Sequence, residues 1–141
     1  MHTLLNIFGY QVAEYGFIAQ SLISAFFAIL FLQSGIDKIT DRKGNLEWLG
    51  GHFANSPLKG MVPFLLTTIT LVEVLAGAAS LIAIGEVLAT GTLTFALIGT
   101  TLSALALLML FFGQRIAKDY EGAGNLIPYF ILAVINLYFL A

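Results

Sequence analysis

The run from Gly60 to Gly85 is apolar or weakly polar almost throughout and carries one charge, Glu73, near its middle. A helix of that length crosses a hydrocarbon core of roughly 30 Å. A carboxyl group at the centre of such a helix costs several kcal/mol unless it is protonated, hydrogen-bonded or paired. One residue therefore sets two requirements. The chain resides in a membrane, and something inside the fold must satisfy an acid.

The remaining charges divide the sequence into further runs of the same kind. No charge occurs between Glu14 and Asp37, between Glu86 and Arg115, or after Glu121. With the run around Glu73, these give four spans, roughly 15–36, 63–84, 90–112 and 125–141, and the last is near the lower length limit for crossing. The runs are continuous and rich in Leu, Ala, Ile and Phe, without the alternation of a β-barrel strand, so helices are expected. Hydrophobic residues make up 59 % of the chain and charged ones 10 %, against about 25 % charged in soluble domains. The fold class is all-α, a transmembrane four-helix bundle forming one integral membrane domain.

Composition also removes several kinds of chemistry. The chain has no cysteine, so thiol catalysis, iron–sulfur clusters and Cys-based zinc sites are excluded. Both histidines, His2 and His52, lie outside the apolar runs, which argues against a haem ligated within the bilayer. No metal cluster, phosphate loop or nucleophile–base pair is legible, no intrinsic cofactor is expected, and there is no basic face for nucleic acid. A cleavable signal peptide is not expected, because the first residues lack a basic region and the apolar stretch from Phe17 is long enough to remain in the membrane.

All six basic residues fall in two segments. Lys38, Arg42, Lys43 and Lys59 lie between spans one and two; Arg115 and Lys118 lie between spans three and four. Four crossings bring both segments to one side, which the positive-inside rule makes cytoplasmic, with both termini outside. A short turn around Gly85 and Glu86 is expected on the outer side. Leu4, Leu5, Phe8 and Val12 recur at helical spacing, as in an interfacial helix or the start of span one. In the first long loop, Leu46, Leu49 and Phe53 recur beside Trp48, with Asn45 as an N-cap and Asn55, Ser56 and Pro57 as a stop. This predicts a short interfacial helix with Trp48 at headgroup level; a lid over a pocket is the functional alternative. Asn125 is the expected cap of span four, and Glu121–Asn125 reads as a turn.

Helices in lipid associate through close packing and hydrogen bonds, so small and weakly polar stripes mark the faces that meet. Span one carries Gln20, Ser24, Ala28, Phe31, Gly35 and Lys38 on one stripe. Span two carries Thr70, Glu73, Gly77 and Ser80, span three Ala96, Gly99, Ser103 and Ala106, and span four Asn136. Gly35, Gly77, Gly99 and Ser103 are the expected packing positions. The candidate polar site consists of Glu73, Lys38, Gln33 and Ser34. Glu73 either holds a structural hydrogen bond or handles protons and orients a ligand. It lies roughly 15 Å into span two at 1.5 Å per residue, so a direct pair with Lys38 requires span one to sink by about a turn or span two to begin late. Otherwise Lys38 snorkels to the interface, and Gln33 and Ser34 are the nearer intermediates.

In order, these features resemble the DoxX family of small four-helix membrane proteins. Phe31-Leu32-Gln33-Ser34-Gly35-Ile36-Asp37-Lys38 is similar to that family's aromatic–small–Gly-x-x-Lys end of the first helix. An aromatic amphipathic loop with a proline follows, here Trp48 to Pro57, and Glu73-Val74-Leu75-Ala76-Gly77 resembles its Glu-x-x-x-Gly motif. The resemblance matches Gly35, Lys38, Glu73 and Gly77 and implies a bacterial or archaeal cytoplasmic membrane. It also implies an accessory subunit of a larger membrane complex, redox or quinone-linked, with other membrane subunits as partners and a quinone or lipid as ligand. A stand-alone quinone- or lipid-binding protein, or a small transporter using Glu73 in a central cavity, is the alternative. Many relatives carry basic residues at their termini, and this chain has none there. The charge distribution yields a direct test of orientation: Pro57→Cys and Lys118→Cys should react with an impermeant maleimide from the cytoplasmic face, and Ala141→Cys only from the other. Labelling of all three from one face contradicts the four-span order.

Overall fold

In hydrocarbon the backbone finds no partner except itself, so every long apolar run closes its own hydrogen bonds as a helix. The structure, a computed structural model, describes the backbone of residues 4–7 and 10–141 and the side chains from residue 16 onward. Among the described residues six α-helices follow in order: α1 (Glu14–Thr40), α2 (Arg42–His52), α3 (Val62–Thr90), α4 (Thr94–Ile116), α5 (Tyr120–Asn125) and α6 (Ile127–Leu140), with a 3-10 turn at Lys59–Met61 before α3. Four units are long and apolar enough to cross a membrane: Gly16–Thr40, Lys59–Thr90, Thr94–Ile116 and Tyr120–Leu140. The chain is a multi-pass integral membrane protein folded as a four-helix bundle.

Several boundaries differ from expectation, each for a local reason. α1 does not stop at Ile36 but carries Asp37 and Lys38 as helical residues. α3 runs through Gly85 and Glu86 to Thr90, and the turn falls instead at Gly91, which adopts a left-handed φ of 72°. The cause is chemical. Val87 is buried and continues the packing face, and the Glu86 carboxylate accepts a 2.9 Å hydrogen bond from the Phe95 N–H at the start of α4. Glu86 thus serves the next helix rather than marking the end of its own. Asp41, not Asn45, caps α2 by accepting from the Gly44 N–H; Asn45 lies within the helix and donates to the Asp41 carbonyl. The Glu121–Asn125 stretch is helical, capped by Asp119, and α6 starts after Leu126 with Pro128 in its first turn. Together α5 and α6 make a unit of 21 residues, about 30 Å at 1.5 Å per residue, so the fourth crossing is not short.

Before α1, two four-residue strands, β1 (Leu4–Ile7) and β2 (Tyr10–Ala13), pair antiparallel with Leu5 opposite Val12 and Ile7 opposite Tyr10. This replaces the helical reading of the N-terminal stretch. Leu5, Ile7, Tyr10 and Val12 alternate as well as they recur helically, and period two won. Phe8 lies outside the described residues.

The bundle interior is a cluster of Phe27, Phe31, Leu66, Ile69, Ala76, Ala106, Leu107 and Ala133. Bulky residues such as Leu22, Ile29, Leu71 and Phe139 point outward, as they must where the solvent is lipid. Close approach of α1 and α3 rests on two glycines. A Cβ at Gly77 would sit 2.8 Å from the Leu32 backbone nitrogen, and one at Gly35 would sit 2.8 Å from the Val74 side chain. Gly99 plays the same part against Ser80, and buried Ser103 returns its hydroxyl to the Gly99 carbonyl at 2.7 Å. A polar clamp closes the bundle toward the other end. The Gln20 amide donates to Asn136 at 2.7 Å, and Asn136 donates to the Thr100 hydroxyl at 2.8 Å, tying α1, α4 and α6 together.

Gly77→Ala must push α1 off α3, because the Leu32 backbone nitrogen stands in the way together with the base of the Leu32 side chain, so turning that side chain aside does not clear the space. It should cost about 1–3 kcal/mol in thermal unfolding in detergent. Gly85→Ala meets open space and should be neutral or stabilising by up to about 1 kcal/mol. Equal effects of the two changes contradict the close approach.

Candidate functional site

The packing of Gly35 on Val74 sets the antiparallel register of α1 and α3. Three residues further along α1, Lys38 stands about level with Leu71, a short step from Glu73. The start of α2 is anchored consistently: the Arg42 guanidinium donates to the Thr67 hydroxyl at 2.8 Å and to the Pro63 carbonyl at 3.4 Å. The first turns of α3 therefore extend past the end of α1 and pack beside α2. This offset is what the sequence does not reveal. Assuming that spans one and two start level puts Glu73 beyond the reach of Lys38; in the fold the two are neighbours.

Glu73 is fully buried, and Lys38 Nζ lies 3.0 Å from its Oε1. Lys38 also donates to the Ser34 hydroxyl, one turn back on the same helix, at 2.7 Å. Neither carboxylate oxygen accepts an aligned hydrogen bond, so the 3.0 Å contact is an ion pair held by charge rather than by bond direction. Coulomb attraction in a low-dielectric interior depends on separation rather than alignment, so the short distance suffices to hold the pair. Gln33 is not part of this arrangement; its side chain is exposed on the outer face of α1. Of the four expected polar residues, the fold brings together Glu73, Lys38 and Ser34.

Beside the pair lies a cavity of about 520 Å³ at the end of the bundle that carries the two long connections. Lys38 is on its wall; Glu73 is behind Lys38 and does not line it. α2 covers one side with Trp48, Leu49 and His52, and Phe53 follows at its C-cap. The 3-10 turn supplies Met61, the start of α3 Phe64, Leu65, Thr68 and Ile69, and the end of α4 Met109, Leu110, Phe112, Gly113 and Gln114. Trp48, Phe64 and Phe112 are exposed, so the cavity opens among aromatic side chains on the lipid-facing surface. Its volume falls within the range of pockets for small organic ligands, and an apolar lining with a few polar groups is their usual composition.

The amphipathic segment expected in the first long loop is α2, and it does cover a pocket. Its end is fastened across the cavity by His52, whose Nε2 lies 2.5 Å from the Gln114 Oε1 and 4.0 Å from the Asp119 carboxylate. Trp48 stacks on the His52 ring at 4.5 Å. Asp119 reaches this position because Lys118 takes a left-handed φ of 61°, which breaks α4 sharply before α5. Arg115, on the same turn, faces Tyr120 at 4.4 Å. Sequence reasoning missed His52, Gln114 and Thr68 as pocket residues. The i, i+4 spacing of Trp48 and His52 was a visible signal, but nothing in the sequence says that α2 folds back onto α4. Among the described residues no group of His, Asp and Glu is arranged to hold a metal ion.

Comparison with known protein families, with curated proteins and with solved structures gives no match. The chemistry of the site therefore rests on its own geometry. A lysine whose charge is held by a buried carboxylate faces an apolar chamber open to the bilayer, an arrangement suited to binding and orienting a lipid-soluble molecule.

Removing one member of a buried ion pair strands the other. Lys38→Met should destabilise the protein by about 3–5 kcal/mol, whereas Lys38→Met/Glu73→Leu should recover most of that loss. Chemical or thermal unfolding in detergent micelles measures both. A double variant no more stable than the single one contradicts the pairing.

Proposed function

We propose that this protein is a small accessory subunit of a membrane redox complex, of the DoxX kind, that holds a quinone or lipid in the cavity beside Lys38. The observation that carries the reading is the cavity itself: a ligand-sized, aromatic-rimmed chamber in a bilayer-embedded bundle, with one lysine on its wall. A quinone ring fits this chemistry. Its faces stack on aromatic and aliphatic side chains, its carbonyl oxygens accept from an ammonium, and its isoprenoid tail continues into the bilayer.

The resemblance of the Phe31–Lys38 and Glu73–Gly77 segments to DoxX motifs supports the redox assignment and a bacterial or archaeal cytoplasmic membrane. The accessory role follows from what the chain offers chemically. It presents no thiol, and its bundle interior is filled by Phe, Leu, Ile and Ala, so electrons would come from partner subunits bearing the redox centres. A self-contained quinone- or lipid-binding protein is the second reading. It is favoured by the cavity being walled by α2, α3 and α4 of one chain.

Native mass spectrometry after purification in mild detergent separates these readings. A haem or flavin protein in fixed ratio supports the complex, and a retained quinone or lipid adduct supports the cavity. Leu65→Trp, which fills the chamber from the α3 wall, should abolish the adduct while leaving any partner bound. Recovery of the native chain without adduct or partner contradicts the proposal.

A further inference from the structure

The charges around the cavity are balanced before any ligand arrives. Lys38 is the cationic side chain on the wall, and the buried Glu73 carboxylate lies 3.0 Å behind it. The pair carries no net charge whichever partner holds the proton. The second titratable wall residue, His52, has its own carboxylate, Asp119, at 4.0 Å. Thus the groups that could attract an anion are each matched by an acid, Glu73 from α3 and Asp119 from the connection between α4 and α5. Hydrogen-bonding capacity remains, however. An ammonium has three N–H donors; Ser34 takes one, the Glu73 contact engages at most one more without an aligned bond, and a third remains.

Resting on the reading of the cavity as a ligand site, we infer that it selects an uncharged, carbonyl-bearing head over an anionic one, and that Glu73 sets this selectivity without touching the ligand. The third Lys38 proton is offered to a neutral acceptor such as a quinone carbonyl. A phosphate or sulfonate head would gain little from Lys38, because Glu73 already neutralises it, and would lose its own hydration on entering an apolar chamber. The same geometry separates two ligand sources at the membrane surface. Quinones are admitted, and the anionic phospholipids that crowd basic loops are refused. Glu73 is here a positioning and charge-setting residue, and the buried acid acquires a purpose beyond closing a helix interface.

The single tryptophan of the chain is Trp48, on the cavity wall, so its emission reports occupancy directly. Titrating the purified protein in neutral detergent with a decyl benzoquinone should quench Trp48, and decyl sulfonate should displace the quinone only weakly. Glu73→Gln keeps the shape of the side chain but leaves Lys38 uncompensated. It should raise the affinity for decyl sulfonate at least roughly tenfold, the scale of one unmatched charge at close range, with little change for the quinone. Retained quinone quenching certifies that the variant is folded. If Glu73→Gln does not fold, the wild-type protein still decides: sulfonate binding as tight as quinone binding overturns the inference. Unchanged discrimination in a folded Glu73→Gln variant also overturns it. Absence of any Trp48 response to the quinone overturns instead the reading of the chamber as a ligand site.

Discussion

A carboxylate and an ammonium held 3.0 Å apart inside a lipid-embedded bundle form the contact on which the rest of this structure depends. Each charge alone would be too costly to leave in that position, and each makes the other admissible. Their meeting requires α1 and α3 to lie close, which Gly35 and Gly77 permit by leaving room for Val74 and Leu32. It also requires α1 to remain helical through Asp37 and Lys38, and α3 to begin beyond the end of α1. That offset in turn leaves the first turns of α3 without α1 beside them. α2 folds over the gap, and the space it roofs is the cavity. One electrostatic requirement thus links helix register, the amphipathic loop and the candidate binding chamber.

The two polar features of the bundle do different work. Gln20, Asn136 and Thr100 satisfy one another in a closed set and hold α1, α4 and α6 in place, with hydrogen bonds of the modest strength usual between membrane helices. The Lys38–Glu73 pair is left incompletely bonded. Both carboxylate oxygens lack an aligned donor, and Lys38 stands on the wall of a chamber. A purely structural pair gains stability by completing its hydrogen bonds, as the amide clamp does. In the unfinished pair Lys38 keeps donor capacity for a ligand in the chamber, while Glu73 lies behind it and does not line the chamber.

Much of this was legible in the residues. Three charge-free runs and a fourth with a single acid could only be helices, that acid announced a buried partner, and Leu46, Leu49 and Phe53 announced α2. The small residues Gly35, Gly77 and Gly99 stand at close helix contacts, and Ser103 is buried with its hydroxyl turned back to its own helix. What escaped was vertical position. Periodicity tells which face of a helix meets another but not how far one helix slides along its neighbour, so the pairing of Lys38 with Glu73 stayed open and Gln33 looked as well placed as Ser34. Turns were misplaced where a residue served a different element from its own, as Glu86 does for α4 and Asp119 does for both α5 and His52. The cavity was invisible for the same reason, since His52 and Gln114 are far apart in sequence and meet only because α2 folds back.

The most direct test is a distance. In lipid bilayers, nitrogen–carbon dipolar recoupling between a labelled lysine ammonium and a labelled glutamate carboxyl carbon should detect one close pair. It should be consistent with a nitrogen–oxygen separation within about 4 Å, in the wild-type protein, and that signal should vanish in Glu73→Gln. A wild-type spectrum without the coupling, or a coupling that persists after the change, would contradict the account.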